Sequence, residues 1–121
     1  MAITKKQRQE VYEKYNGHCA YCGKPLEIKN MQVDHIIPQR QGYYIDEQEK
    51  NTDSFDNLNP SCRQCNHYKR AKSLERFREL LLTLHERIAK NYICKVAEDY
   101  GVIQIKPWDG KFYFETRENK K

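Results

Sequence analysis

No stretch of this 121-residue chain approaches the roughly 18 apolar residues that a membrane span requires. An apolar export segment is missing too, since the chain starts with the charged stretch Thr4-Lys5-Lys6-Gln7-Arg8. The chain therefore reads as cytoplasmic, with no membrane partner. Internal repeats, low-complexity tracts and linker-like stretches are also lacking, so a single domain over residues 1–121 is expected. Apolar residues are scarce at 38%, against 32% charged. A chain of this size with so few apolar side chains builds a thin core, and an internal staple would help to hold it.

The cysteines supply a candidate staple. Five of them in a chain without an export signal argue for metal binding rather than disulfides. Four form C-x-x-C pairs, Cys19/Cys22 and Cys62/Cys65, separated by 39 residues. Gly23 and Pro25 close the first pair in a tight turn that lets backbone amides approach bound sulfur. Four soft ligands suit tetrahedral Zn²⁺, and four thiolates leave no open coordination position, so the zinc should be structural. Its binding would add on the order of 10 kcal/mol to folding. A redox dithiol is the competing reading, and two knuckle-like pairs argue against it. Cys94 stands alone and is expected as a small buried hydrophobe in a helix.

Between the pairs lies Val33-Asp34-His35-Ile36-Ile37-Pro38, an acid and a histidine side by side in a short apolar run, and the second pair leads directly into Asn66. If the four thiolates share one ion, the fold must bring Asp34, His35 and Asn66 near each other. One carboxylate and one carboxamide leave several coordination positions open, which suits Mg²⁺ with its waters and a phosphate oxygen, Mn²⁺ substituting readily. Neutral imidazole is the natural base at physiological pH for taking a proton from water. On a regular strand Asp34 and His35 would point to opposite faces, so a kink is expected for both to serve one reaction. Alone, an Asp-His pair is usually a structural hydrogen bond. The surrounding cysteines and asparagines shift that reading towards catalysis.

Formal net charge is +5, and its distribution says more than its size. Ser61 to Lys72 holds Arg63, Lys69, Arg70 and Lys72 and no acid. A solvated helix face is the ordinary reading of such a run, but beside a metal site phosphate contact is favoured. On a helix Cys65 and Asn66 diverge by about 100°, so one can face zinc while the other faces elsewhere. Asn66 and Lys69 share a face, with Arg70 in the same direction.

Around this centre the spacing predicts a helix from a Thr4 cap to about Asn16, stopped by Gly17. Residues 26–33 should form a short strand or irregular hairpin, and Gln39–Phe55 a polar surface loop whose Tyr43 and Tyr44 pack it down or reach towards DNA. Helices are expected from Arg63 to about Ala71, from Leu74 to Lys90 behind a Ser73 cap, and from Tyr92 to Tyr100. Leu74, Phe77, Leu81, Leu84 and Ile88 make a core stripe. Val102–Lys106 and Lys111–Glu115, alternating around an Asp109-Gly110 turn, predict a β-hairpin.

Cys19-x-x-Cys22, Asp34-His35-Ile36-Ile37-Pro38, Asn57-Leu58 and Cys62-x-x-Cys65-Asn66-x-x-Lys69 together resemble the HNH endonuclease family over about residues 17–72. The resemblance implies a ββα-metal motif of the four-cysteine, zinc-stabilised kind that hydrolyses DNA phosphodiesters. The expected fold class is then α+β: that core, flanking helices and the C-terminal hairpin, with residues 73–121 as an extension. By position, the resemblance makes His35 the general base and Asp34 and Asn66 the ligands of the catalytic metal. Asn57 would brace the loop and orient the histidine, and Lys69 would contact phosphate. His67 follows Asn66 and points elsewhere, so it ranks below it as a ligand. Without a second domain to read a long target, nicking or low-specificity cleavage of double-stranded DNA is expected, by the chain alone, as a homodimer or beside a partner protein. The alternatives are a non-catalytic zinc-ribbon module that binds nucleic acid, and a phage-type packaging accessory active only with its partner.

Overall fold

A computed structural model of the chain describes residues 3–37 and 54–118. The loop expected at Gln39–Phe55, with Gly42, Tyr43 and Tyr44, falls outside the described residues up to Asp53, as do Pro38 and the terminal Lys120-Lys121. The chain forms two compact units. One runs to Leu74 and takes in the stretch from Phe112 onwards; the other is Glu75–Lys111.

In the first unit, α1 spans Lys5–Glu13. Thr4 Oγ1 accepts from Gln7 N at 3.0 Å while Gln7 Oε1 accepts from Thr4 N at 2.9 Å, a reciprocal cap that satisfies two orphan donors. The helix gives way to Asn16 and Gly17 at φ of 57° and 80°, and a Cβ at Gly17 would lie 2.9 Å from the Tyr12 hydroxyl. After a 3₁₀ turn at Ile28–Asn30 comes β1, Gln32–His35, antiparallel to β2, Leu58–Ser61. Gln32 faces Ser61, Val33 faces Pro60, Asp34 faces Asn59 and His35 faces Leu58.

Opposed residues of an antiparallel ladder share a face, so this register divides the ribbon by chemistry. Val33 and Leu58 lie on the apolar face, where Val11 and Met31 complete a small core with Tyr12 and Leu26 packed around it. Gln32, Asp34, Asn59 and Ser61 make the other face. Against it lies α2, Arg63–Lys69, whose Asn66 and Lys69 reach Gln32 and Asp34. Two strands and one helix, following the first knuckle, form the expected ββα unit.

The C-terminal hairpin is corrected. The turn exists, with Gly110 at φ 87° and Asp109 Oδ1 accepting from Lys111 N at 3.0 Å, but neither flank forms a strand. Phe112 and Phe114 are instead buried beside Tyr21, and the backbone amides of Tyr113 and Phe114 donate to the Tyr21 and Ala20 carbonyls at 3.1 and 2.8 Å. Glu115 Oε1 accepts from Phe112 N at 2.9 Å and α6, Tyr113–Glu118, begins there. Alternating aromatics satisfied by docking on the first knuckle mimic a strand.

In the second unit the expected 74–90 helix divides into α3, Leu74–Leu82, and α4, Leu84–Ala89. Thr83 breaks it at φ −99°, ψ 0°. Its hydroxyl donates to Leu80 O at 3.2 Å, and the Arg87 guanidinium takes the same carbonyl at 2.6 Å. This side-chain bonding competes with the helical ladder at a β-branched residue. Phe77 is the one fully buried member of the predicted stripe; the others are half-buried. In α5, Tyr92–Asp99, Asn91 Oδ1 caps the Ile93 and Cys94 amides, and Cys94 is half-buried rather than buried. Among the described residues no helix is long and apolar enough to cross a membrane.

Candidate metal centre and active site

The two knuckles converge. One sulfur from each of Cys19, Cys22, Cys62 and Cys65 lies within 4.8 Å of all the others, and the Cys22 and Cys62 sulfurs are 3.9 Å apart. Zn–S bonds of about 2.3 Å give a tetrahedron with edges of about 3.8 Å, so the cluster fits zinc closely. Backbone amides point at the sulfurs: Cys65 N donates to Cys62 Sγ at 3.3 Å across the first turn of α2, which Cys62 caps. The Cys19 thiol is drawn down to about 4, first by the Cys65 side chain and then, against burial, by backbone amides of Cys62, Cys22 and Tyr21. Cys65 is pushed up by sharing that hydrogen bond and by burial. Crowded sulfurs that cannot all ionise together are what a divalent ion resolves.

Asp34 is the buried acid of the polar face, 4% exposed. Tyr21 donates its hydroxyl to Asp34 Oδ2 at 2.5 Å. Lys69 Nζ stands 3.3 Å from the same oxygen and 3.4 Å from Oδ1, and it also donates to His35 O at 3.1 Å. Burial raises the Asp34 carboxyl, outweighing the Tyr21 hydrogen bond, the Lys69 charge and a smaller pull from His35. Asn66 turns its Nδ2 to Gln32 Oε1 at 3.4 Å, which leaves Oδ1 as the end not used in that bond. Gln32 and Asp34 share a face, so Asn66 and Asp34 border one strip of it. An anionic oxygen and an amide oxygen there are hard donors of the kind Mg²⁺ or Mn²⁺ takes.

Asp34 and His35 both fall within β1, which runs regularly to His35 and bends only at Ile36 and Ile37. The kink expected between them is absent: His35 pairs with Leu58 on the face opposite Asp34, and the chain bends only beyond it. Asn57 fixes that bend: its Oδ1 accepts from Ile37 N at 2.8 Å, its Nδ2 donates to Ile37 O at 3.0 Å, and its carbonyl accepts from Ile36 N at 2.9 Å. Both faces of the peptide chain that follows His35 are thereby tied to one side chain at the entry of β2.

The basic run does not act as one face. Lys69 is wholly buried on Asp34, so the phosphate contact expected of it does not fit its position, nor does a face shared with Arg70. Arg70 leaves the helix at φ 52° and approaches His67 Nε2 at 3.4 Å. Arg63, His67 and Arg70 are exposed and Lys72 is half-exposed. Removing the Lys69 charge strands a buried carboxylate, so Lys69→Met is expected to destabilise the zinc-loaded protein by about 3–5 kcal/mol, read from urea midpoints. A loss below about 1 kcal/mol, the size of an exposed pair, would contradict this burial.

Sequence reasoning missed Tyr21 and Asn59. Tyr21 occupies a spacer position of the first C-x-x-C, where the ligand pattern carries no information about the side chain. Asn59 Nδ2 donates to the Tyr21 hydroxyl at 3.5 Å. Its place opposite Asp34 could be found only from the strand register.

A family model described as HNH endonuclease matches residues 19–72. The CRISPR-associated endonuclease Cas9 of Corynebacterium diphtheriae is 36% identical over 63 residues, 51% of this chain and 5% of that protein. A crystal structure of the Type II-C Cas9 enzyme from Actinomyces naeslundii is similar with a TM-score of 0.50 at 25% identity, over 65% of this chain and 8% of that one. The chain thus spans a small fraction of the length of either relative. The two cysteine knuckles close on a ββα unit over the same residues, Cys19 to Lys72, that the HNH endonuclease model matches.

Proposed function

We propose that this chain is a metal-dependent endonuclease that hydrolyses phosphodiester bonds of double-stranded DNA. The observation that carries the reading is the polar strip of the β1–β2 ribbon under α2, where Lys69 meets the buried Asp34 carboxylate and Asn66 reaches Gln32, with His35 next along the strand and its exit pinned by Asn57. The match of residues 19–72 to the HNH endonuclease model supports it independently.

In this reading His35 accepts the proton of a water molecule as its oxygen attacks phosphorus, and the bond to the 3′ oxygen breaks. Asp34 and Asn66 would hold Mg²⁺ or Mn²⁺, which when bound would supply charge stabilisation at the phosphate and the leaving oxygen. Asn57 is a positioning residue: through Ile37 it sets the backbone from which the imidazole projects. Arg63, Arg70 and Lys72 contact backbone phosphates, which carry no sequence information, so cleavage is nicking or of low specificity. Lys69 neutralises Asp34 rather than reaching phosphate.

Asn57→Ala releases the Ile37 amide and carbonyl together. The expected result is a fall in the turnover rate of at least tenfold with DNA affinity unchanged, measured by single-turnover cleavage and by fluorescence anisotropy. A variant that cleaves at the normal rate would remove Asn57 from this role. The function itself is tested by incubating supercoiled plasmid with zinc-loaded protein. Relaxation that needs added Mg²⁺ or Mn²⁺ is expected; DNA binding without relaxation under any divalent metal would favour a zinc-ribbon binding module.

A further inference from the structure

Tyr21 lies inside the first knuckle, between two sulfur ligands, yet its hydroxyl ends on the acid of the other site. Its ring is buried and fixed edge-on by Phe112 and Phe114, at centroid distances of 5.3 and 6.0 Å. Behind it, Asn59 is wholly buried, donates Nδ2 to the tyrosine oxygen at 3.5 Å, and has no hydrogen-bond partner for Oδ1 among the described residues. An amide nitrogen can only donate, so the phenol oxygen must accept from it and turn its own proton to Asp34. Oδ2 of Asp34 then receives the phenol and lies 3.3 Å from the Lys69 ammonium, whereas Oδ1 accepts from the ammonium at 3.4 Å and, among the described residues, makes no other hydrogen bond. The carboxylate is held in one orientation, with Oδ2 taken by the phenol and Oδ1 turned away from it. Oriented second partners of this kind are how proteins fix a metal-binding carboxylate.

We propose that Tyr21, aligned by Asn59, is a positioning residue for Asp34, through which the zinc knuckle presents the Asp34 Oδ1 oxygen to a divalent cation. This rests on the assignment of Asp34 as a metal-binding residue under Proposed function. The zinc knuckle is then more than a fold staple: one of its spacer side chains sets the affinity of the second, oxygen-lined site. Burial of a hydroxyl whose only structural alternative is phenylalanine makes sense if the hydroxyl has this task, because an apolar ring would fill the same space between the two phenylalanines.

The test is direct Mn²⁺ binding to the full, zinc-loaded chain, followed by electron paramagnetic resonance of the free ion, with zinc content measured on the same samples. Tyr21→Phe is expected to retain one zinc and to weaken Mn²⁺ binding about 10-fold, at the low end of the 10- to 100-fold range for such partners. Cleavage by this variant should be recovered largely at saturating Mn²⁺, which a loss of fold would not allow. Asn59→Ala is expected to shift Mn²⁺ affinity in the same direction by less, and it decides the matter alone if Tyr21→Phe fails to hold zinc. Unchanged Mn²⁺ affinity in both variants, with Asp34→Asn abolishing binding, overturns the role of Tyr21 and leaves Asp34 in place. Mn²⁺ binding that survives Asp34→Asn overturns the assignment of Asp34 itself.

Discussion

Removing zinc from the four-cysteine cluster is expected to unfold the ββα unit outright. Among the described residues, the apolar cluster on the other face of the ribbon is small, built on Val11, Met31 and Leu58 with Ile3, Tyr12, Leu26 and Val33 partly buried around it. Small domains are stable by only about 5–15 kcal/mol in total, and a structural zinc contributes on the order of 10 kcal/mol. Cys62 is both a ligand and the N-cap of α2, so its loss detaches the helix that carries Asn66 and Lys69. Far-ultraviolet circular dichroism after chelation should therefore show loss of helix, and Cys62→Ala should reproduce the effect without chelator. Protons compete for the same sulfurs, and a thiol must ionise to bind. Cys19 is already lowered to about 4, whereas Cys22 and Cys65, both raised by their surroundings, carry protons at neutral pH that zinc must displace. The apo cluster thus holds more protons than the zinc-bound one, and zinc affinity should rise with pH. A chelated protein that keeps its helix signal and melting temperature would show that the sulfur cluster is not what holds the fold.

The second large effect concerns His35. Replacing it with alanine is expected to slow DNA cleavage by about 10²- to 10⁴-fold, the usual contribution of a general base. Its side chain lies at the end of β1 and is half-buried, so truncation leaves the polar face, with Asp34, Lys69 and Tyr21, undisturbed. DNA affinity should be unchanged, because the exposed cations Arg63 and Arg70 lie on and just beyond α2. Charge-reversing those two should do the opposite, weakening binding and flattening its salt dependence while sparing the rate on bound DNA. If His35→Ala cleaves as fast as the parent, the imidazole is a structural end-of-strand residue and the proton acceptor lies elsewhere.

What could be read in the sequence was what local spacing encodes. Two C-x-x-C pairs specify a sulfur cluster whatever lies between them, because each pair is a complete half-site. Thr4 announces its helix as an N-cap, and Gly17 its end. Lys69 illustrates what could not be read. A lysine in a basic run on a short helix looks solvent-exposed, and it is buried only because Asp34, 35 residues earlier, lies beneath that helix face. Tyr21 and Asn59 were hidden for the same reason: their partners are assigned by strand register and knuckle packing, not by neighbours in the chain. The C-terminal aromatics misled in the other direction. Phe112 and Phe114 alternate as strand residues do, yet what they satisfy is a site on Tyr21 and Ala20, and Glu115 starts a helix. The break at Thr83 depended on a guanidinium reaching back from Arg87 to Leu80, a competition that no periodicity of apolar residues records.

The central claim is that sulfur-held zinc builds the scaffold while a separate, oxygen-held cation serves the reaction. The most direct measurement is plasmid relaxation by protein carrying one equivalent of zinc, verified by native mass spectrometry, with Mg²⁺ added or withheld. Cleavage only when Mg²⁺ is added, with the zinc still bound at the end, is the expected result. Equal cleavage by the zinc protein without any second metal would contradict it, as would Mg²⁺-dependent cleavage that persists in Asp34→Ala.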